Sequence, residues 1–326
     1  MTGRAIAIDL GGTNIKGALV DRNGKLGDTV NVPTGADLSP TAVIARLGDV
    51  VADLSRQAGD SDLVGVGIGC PGGIYPDSGL ISQSPNFPGW YDVDLCGPLR
   101  EKTGLPVTIE NDANVAGLGE FIHGTGHDVD SMVFITLGTG IGGAVILEGK
   151  LWRGAWGMAG EIGHVIVEPE GHPCGCGSWG CVEQYASGTA LVRMAREALT
   201  PDTPGVKLLE LAGGRPERLT PKMVYEAATS GDAVAQEVFH RAARYLGMMI
   251  ASILNVLNVP LFVVGGGVSA GYDLMAQTTR DEVRKRAYRI PGENVRIERA
   301  TLGNDAGIIG AAMLAFERLA GSRHPD

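Results

Sequence analysis

Two glycine-threonine turns, each set between strand-like segments, constrain this chain more than any other feature. Asp9-Leu10-Gly11-Gly12-Thr13 closes a strand expected over Arg4–Leu10 and leads into a second over Lys16–Asp21. Asn23-Gly24 then signals a hairpin, with a third strand to about Val32. The plan recurs as a strand over Ser131–Leu137, the turn Gly138-Thr139-Gly140, a strand over Gly142–Leu147, and a hairpin at Glu148-Gly149-Lys150. A single glycine-rich turn is common and serves equally well as a plain hairpin with a capping aspartate. A second of the same design weighs against that reading. Glycine lets backbone N–H groups approach phosphate oxygens, and a threonine hydroxyl adds a donor. The repeat therefore describes two half-molecules that clamp one phosphate-bearing ligand.

The remaining elements fit an α/β protein. Ser39-Pro40 starts a helix running to about Ala58, and strands are expected over Leu63–Gly69 and Val107–Glu110, separated by a loop-rich stretch from Cys70 to Gly89. A short helix follows Asn111. Beyond the second turn come a helix from Glu183, an irregular Thr200–Leu219 region and a helix started by Thr220-Pro221. Helices over Gly231–Leu257 and Tyr272–Tyr288, strands over Leu261–Val264 and Val295–Ala300, and a last helix over Asp305–Leu319 complete the chain. At 326 residues, about two domains are expected. Residues 1–115 with 303–326 form the first α/β domain, the last helix crossing back to it, and 116–302 form the second.

Net charge is −10 with no run of lysine or arginine, so a nucleic-acid or polyphosphate partner finds no basic field. The most apolar stretch, Ile250 to Val268, is interrupted by Asn255, Asn258, Pro260 and Gly265-Gly266-Gly267, which reads as a helix end and a buried strand rather than a membrane span. No secretory leader is visible, and a cytoplasmic, membrane-free chain is the expectation.

Four further motifs carry chemistry. Glu110-Asn111-Asp112 ends a strand and opens a helix. Asp112 is suited to accept a proton from a substrate hydroxyl, and equally suited to be a helix cap. Gly160-Glu161-Ile162-Gly163-His164 precedes Cys174-Gly175-Cys176, with Cys181 shortly after. One histidine and three cysteines make a closed tetrahedral zinc site of the structural kind, with His172 as a competing ligand to His164. Such a metal would hold Glu161 and Glu183 where they could bond vicinal sugar hydroxyls. Gly265-Gly266-Gly267 ends a buried strand where a nucleotide could lie. Asn86, in the two-proline loop Ser84–Trp90, offers a donor and an acceptor to a hydroxyl, with Phe87 and Trp90 as packing residues.

Taken in order along the chain, these motifs resemble those of the ROK family (repressors, open reading frames, kinases), and within it the bacterial glucokinases. The resemblance implies an actin-like ATPase (ribonuclease H-like) fold, with two α/β domains around a cleft. It implies transfer of the ATP γ-phosphate to glucose O6, with Asp112 as catalytic base. Gly72, Asn86, Asn111, Asp112, Glu161, His164 and Glu183 would bind the sugar. Asp9, Gly11, Gly12, Thr13, Lys16, Gly138, Thr139, Gly266 and Gly267 would face ATP, Asp9 helping to place Mg²⁺. His164, Cys174, Cys176 and Cys181 would hold a structural Zn²⁺, and His164 would also touch the sugar. A homodimer or homotetramer is implied. N-acetylhexosamine kinases share all these motifs; the Ser84–Trp90 loop favours glucose, with fructose and allose kinases further off. A ROK repressor would carry a DNA-reading domain ahead of the first turn, for which Asp9 leaves no room.

Overall fold

The computed structural model describes residues 3–59, 61–75, 78–84, 86–200, 202 and 205–321. Pro85 of the Ser84–Trp90 loop, and Pro201, Thr203 and Pro204 of the irregular region, lie outside the described residues. The chain forms two compact units: residues 1–130, 144–160 and 301–326, and residues 131–143 and 161–300.

The first unit opens with strands β1 (Arg4–Leu10), β2 (Asn14–Asp21) and β3 (Leu26–Pro33), helix α1 (Pro40–Ala58) and strand β4 (Leu63–Cys70). Three short strands, β5 (Gly73–Ile74), β6 (Ile81–Gln83) and β7 (Tyr91–Val93), pair as a small sheet, the first two inside the stretch expected to be loop and the third just beyond it. Helix α2 (Cys96–Thr103), absent from the sequence reading, precedes β8 (Val107–Asn111) and α3 (Asp112–His123).

The main sheet has the order β3-β2-β1-β4-β8, antiparallel through the first three strands and parallel from β1 to β8. The alternation of β1 decides what packs on each face. Ile6, Ile8 and Leu10 point to one core with Val43, Leu47 and Val51 of α1. Ala5 and Ala7 point to the other, where small side chains admit Val115 and Leu118 of α3 together with Ile308 to Phe316 of the last helix. Because β1, β4 and β8 are parallel, their carboxyl ends stand side by side: Asp9 opposite Gly69, Gly69 opposite Glu110, and Cys70 opposite Asn111.

The second sheet repeats the plan. It comprises β9 (Met132–Leu137), β10 (Ile141–Leu147) and β11 (Lys150–Leu151), with two later strands. Between them lie α4 (Glu183–Ala186), α5 (Gly188–Ala198), α6 (Val206–Leu211), α7 (Pro221–Thr229) and α8 (Ala233–Leu257). Strand β12 (Leu261–Gly265), helices α9 (Ala276–Arg286) and α10 (Arg289–Asn294), β13 (Arg296–Arg299) and α11 (Ala306–Gly321) close the chain. The order β11-β10-β9-β12-β13, with β9, β12 and β13 parallel, mirrors β3-β2-β1-β4-β8.

Two helix starts differ from expectation, the first because a polar residue turns the chain before the helix. Asp232 caps α8 by accepting from Ala235 N–H at 3.1 Å, so α8 begins at Ala233 rather than Gly231. Its other oxygen accepts from Lys207 and Leu208 N–H at the start of α6. Residues Gly267–Leu274 form a 3₁₀ segment, and α9 starts only at Ala276. No helix among the described residues is long and apolar enough to cross a membrane.

Candidate active site

At the strand ends of the first unit the competing roles of Asn111 and Asp112 separate. Asn111 is the cap of α3: its Oδ1 accepts from Ala113 N–H at 2.9 Å and Asn114 N–H at 3.2 Å. Asp112 is the first helical residue and accepts its neighbour's N–H, from Ala113 at 2.8 Å. Asp112 is exposed to solvent. The protein around it still desolvates it enough to raise its carboxyl above the usual aspartate range, against the lowering pull of the Ala113 bond. Asp9 is raised as well, first by burial and then by repulsion from Asp112, with Lys16, its partner across β2, pulling the other way. The buried Cys70 thiol is pushed up by the same burial and the same two aspartates. A carboxylate poised above its ordinary value is a better proton acceptor for a hydroxyl.

The expected sugar contacts of this unit are tied together through backbone. Asn111 Nδ2 donates to Gly72 O at 3.1 Å. Gly72 sits at φ +120, and a side chain there would meet Gln83 O at 2.3 Å, so only glycine fits. Asn86 is exposed and lies against the first glycine turn: a Cβ on Gly12 would meet Asn86 Nδ2 at 3.3 Å. Phe87 and Trp90 are buried and stacked, with centroids 4.4 Å apart, as packing residues. The turn itself is braced by the fully buried Thr34, which sequence reasoning missed. Thr34 Oγ1 donates to Gly11 O at 2.6 Å and Thr34 N–H donates to Thr13 O at 2.8 Å, leaving the Thr13 side chain exposed.

In the second unit the start of α5 holds the second turn from behind. Gly188 N–H donates to Gly138 O at 2.8 Å and Thr189 Oγ1 to Thr139 O at 2.9 Å. With the carbonyls taken up there, the exposed Thr139 side chain faces outward. Gly266, at φ +85, packs on the same strand end, where a Cβ would strike Leu137 O at 2.5 Å; Gly267 follows it with open space around its Cα.

His164, Cys174, Cys176 and Cys181 converge, their ligand atoms all within 4.8 Å of one another. Tetrahedral bonds to zinc of about 2.3 Å from sulfur and 2.0–2.1 Å from nitrogen require about 3.8 Å between sulfurs and about 3.6 Å from sulfur to nitrogen. Cys176 Sγ lies 3.7 Å from Cys181 Sγ, and Cys174 Sγ lies 3.6 Å from His164 Nδ1. The donor set fits zinc, with Nδ1 as the histidine ligand. His172 is engaged elsewhere: its Nε2 accepts from Arg193 at 2.7 Å and its backbone N–H donates to Tyr185 Oη. His164 Nε2 lies 3.9 Å from Glu161. Glu183 accepts from Ile141 N–H at 2.9 Å, joining the metal segment to the residue just after the second turn. No sequence signal pointed to that link.

The motifs, the twin sheets and the ligand geometry agree with one family, whose profile matches residues 5–318. The chain belongs to the ROK family. It is 39% identical to a glucokinase of Halalkalibacterium halodurans over 96% of this chain and 95% of that protein. It is 34% identical to an N-acetylmannosamine kinase of Escherichia fergusonii, over 95% and 97% respectively. Among solved structures, the ROK family glucokinase from Streptomyces griseus in complex with glucose and AMPPNP superposes with a TM-score of 0.81 at 37% identity, covering 97% of this chain and all of that one. The ROK assignment carries the expected actin-like, two-domain α/β fold.

Proposed function

We propose that this ROK chain is a glucokinase that transfers the γ-phosphate of ATP to O6 of glucose. The observation that carries the chemistry is the division of labour at β8–α3: Asn111 does the capping, and Asp112 is left as a solvent-facing carboxylate with a raised pKa. In the reaction, Asp112 takes the O6 proton as the oxygen attacks the γ-phosphorus, and the bond from that phosphorus to the bridging oxygen of ADP breaks. Gly72, Asn86 and Asn111 orient the sugar in the first unit. Glu161, His164 and Glu183 are the sugar contacts of the second. The turns at Gly11–Thr13 and Gly138–Thr139 bind phosphate oxygens through N–H groups and hydroxyls, with Lys16 beside the first and Gly266-Gly267 near the adenosine. Mg²⁺, bound with ATP, would neutralise phosphate charge, and Asp9 would help to orient it. His164, Cys174, Cys176 and Cys181 would hold zinc as a structural ion, which would keep Glu161 and Glu183 in place.

Similarity to full-length glucokinases supports glucose. The N-acetylmannosamine kinase relative supports a second reading that keeps the base and the zinc site and changes only the pocket around C2. A cytoplasmic location and an assembly of two or four identical chains belong to the same proposal, on the family resemblance. The test is an ADP-release assay with Mg-ATP against glucose, mannose, fructose, N-acetylglucosamine and N-acetylmannosamine. Turnover concentrated on glucose is expected; preference for an N-acetylated sugar would replace glucose as substrate.

A further inference from the structure

Glu110 is the one member of the Glu110-Asn111-Asp112 run without a role in the reaction above, yet it is 3% exposed. Its two oxygens are committed in different directions. Oε1 accepts from Asn111 N–H at 2.8 Å and from Asn114 Nδ2 at 3.0 Å. Oε2 receives Arg153 Nε at 2.5 Å. Arg153 comes from the segment after β11, which folds back on itself through Ala159 N–H to Arg153 O at 3.1 Å. That segment runs on directly into Gly160-Glu161. Burial raises the Glu317 carboxyl of α11, with Arg153 lowering it and Glu110 raising it.

We propose that Arg153, acting through Glu110, is a positioning residue for Asp112. A carboxylate held at one oxygen by a guanidinium keeps its plane fixed. The other oxygen then holds the N–H of Asn111, the residue before Asp112, and the Asn114 amide in the first turn of α3. The same bond anchors the segment after β11 at Arg153. A base displaced by about 1 Å can lose about a hundredfold in rate, so this rigidity is read in kcat.

The proposal rests on Asp112 being the base of a sugar kinase, so the wild type and Asp112→Asn are assayed first. Three variants follow: Arg153→Met, Arg153→Lys, and Arg153→Met with Glu110→Gln. Arg153→Met is expected to lower kcat about 10–100-fold with the KM for ATP within about twofold, and to lower Tm. The double variant removes the stranded charge, so its Tm recovers to within about 2 °C of wild type while kcat stays down about tenfold or more. Arg153→Lys keeps the charge without the fixed fork, so it folds normally and regains only part of kcat. If kcat simply tracks Tm across the three, or if the double variant regains both, the pair is structural and the proposal fails. If the wild type turns over no sugar, the functional reading falls instead. The positioning claim is then judged by amide exchange at residues 111–114, where protection unchanged by Arg153→Met would overturn it.

Discussion

Replacing Asp112 with asparagine separates catalysis from folding, because the two depend on different atoms. The capping bonds to Ala113 and Asn114 belong to Asn111 and survive, and an asparagine Oδ1 can keep the 2.8 Å acceptor position for Ala113 N–H. What is lost is a negative charge in the first turn of α3, which the helix dipole favours by about 0.3–1 kcal/mol. What is gained is relief of the desolvation that raises the carboxyl, a term of opposite sign and diminished by the group's exposure. The net change is within about 1 kcal/mol, or about 1–2 °C in Tm for a chain of this size. Loss of the base, by contrast, should lower kcat about 10²–10⁴-fold, or about 3–5 kcal/mol in barrier height. A raised folded pKa is a stabilising influence only below the unfolded value, near 3.9, and that influence is lost as pH rises through the folded pKa. At neutral pH the variant should therefore melt no lower than wild type, and any difference should vanish in acid. The acid limb of wild-type kcat/KM for glucose should lie above the ordinary aspartate value and report the free enzyme's base. Coupled ADP release, thermal melts and a pH series suffice. Near-normal turnover would refute the assignment, and a collapse in Tm alongside lost activity would refute the separation of roles.

Three further outcomes follow from the site. Chelating the metal, or replacing Cys176 with alanine, should lower Tm by on the order of 10 °C and raise the KM for glucose as Glu161 and Glu183 loosen; metal-free protein that melts and turns over like the holo form would exclude a structural zinc. His164→Ala should abolish stoichiometric zinc by elemental analysis and His172→Ala should retain it, because only His164 presents Nδ1 at ligand distance from Cys174; the reverse pattern would reassign the ligand. Gly72→Ala should lower Tm by several degrees and raise the KM for glucose, since its Cβ has no room against Gln83 O and φ +120 strains any L side chain; a wild-type melt would contradict the geometry.

The sequence by itself determined the parts that depend on local chemistry. Glycines at turns, the N-caps Ser39 and Thr220 with prolines behind them, and period-two alternation in β1 act over a few residues, so they can be read in a row. The twin turns announced the twin sheets, and the histidine and cysteine types announced a zinc ligand set. The tertiary structure decided whatever depends on partners distant in the chain. It separated Asn111 as cap from Asp112, and it placed Nδ1 of His164 among the thiols while turning His172 toward Arg193. It joined Glu183 to Ile141, set Thr34 behind the first turn, and paired Arg153 with Glu110. Each of these is a hydrogen bond or ion pair whose direction depends on where a folded neighbour lies, and a one-dimensional pattern carries no record of that direction.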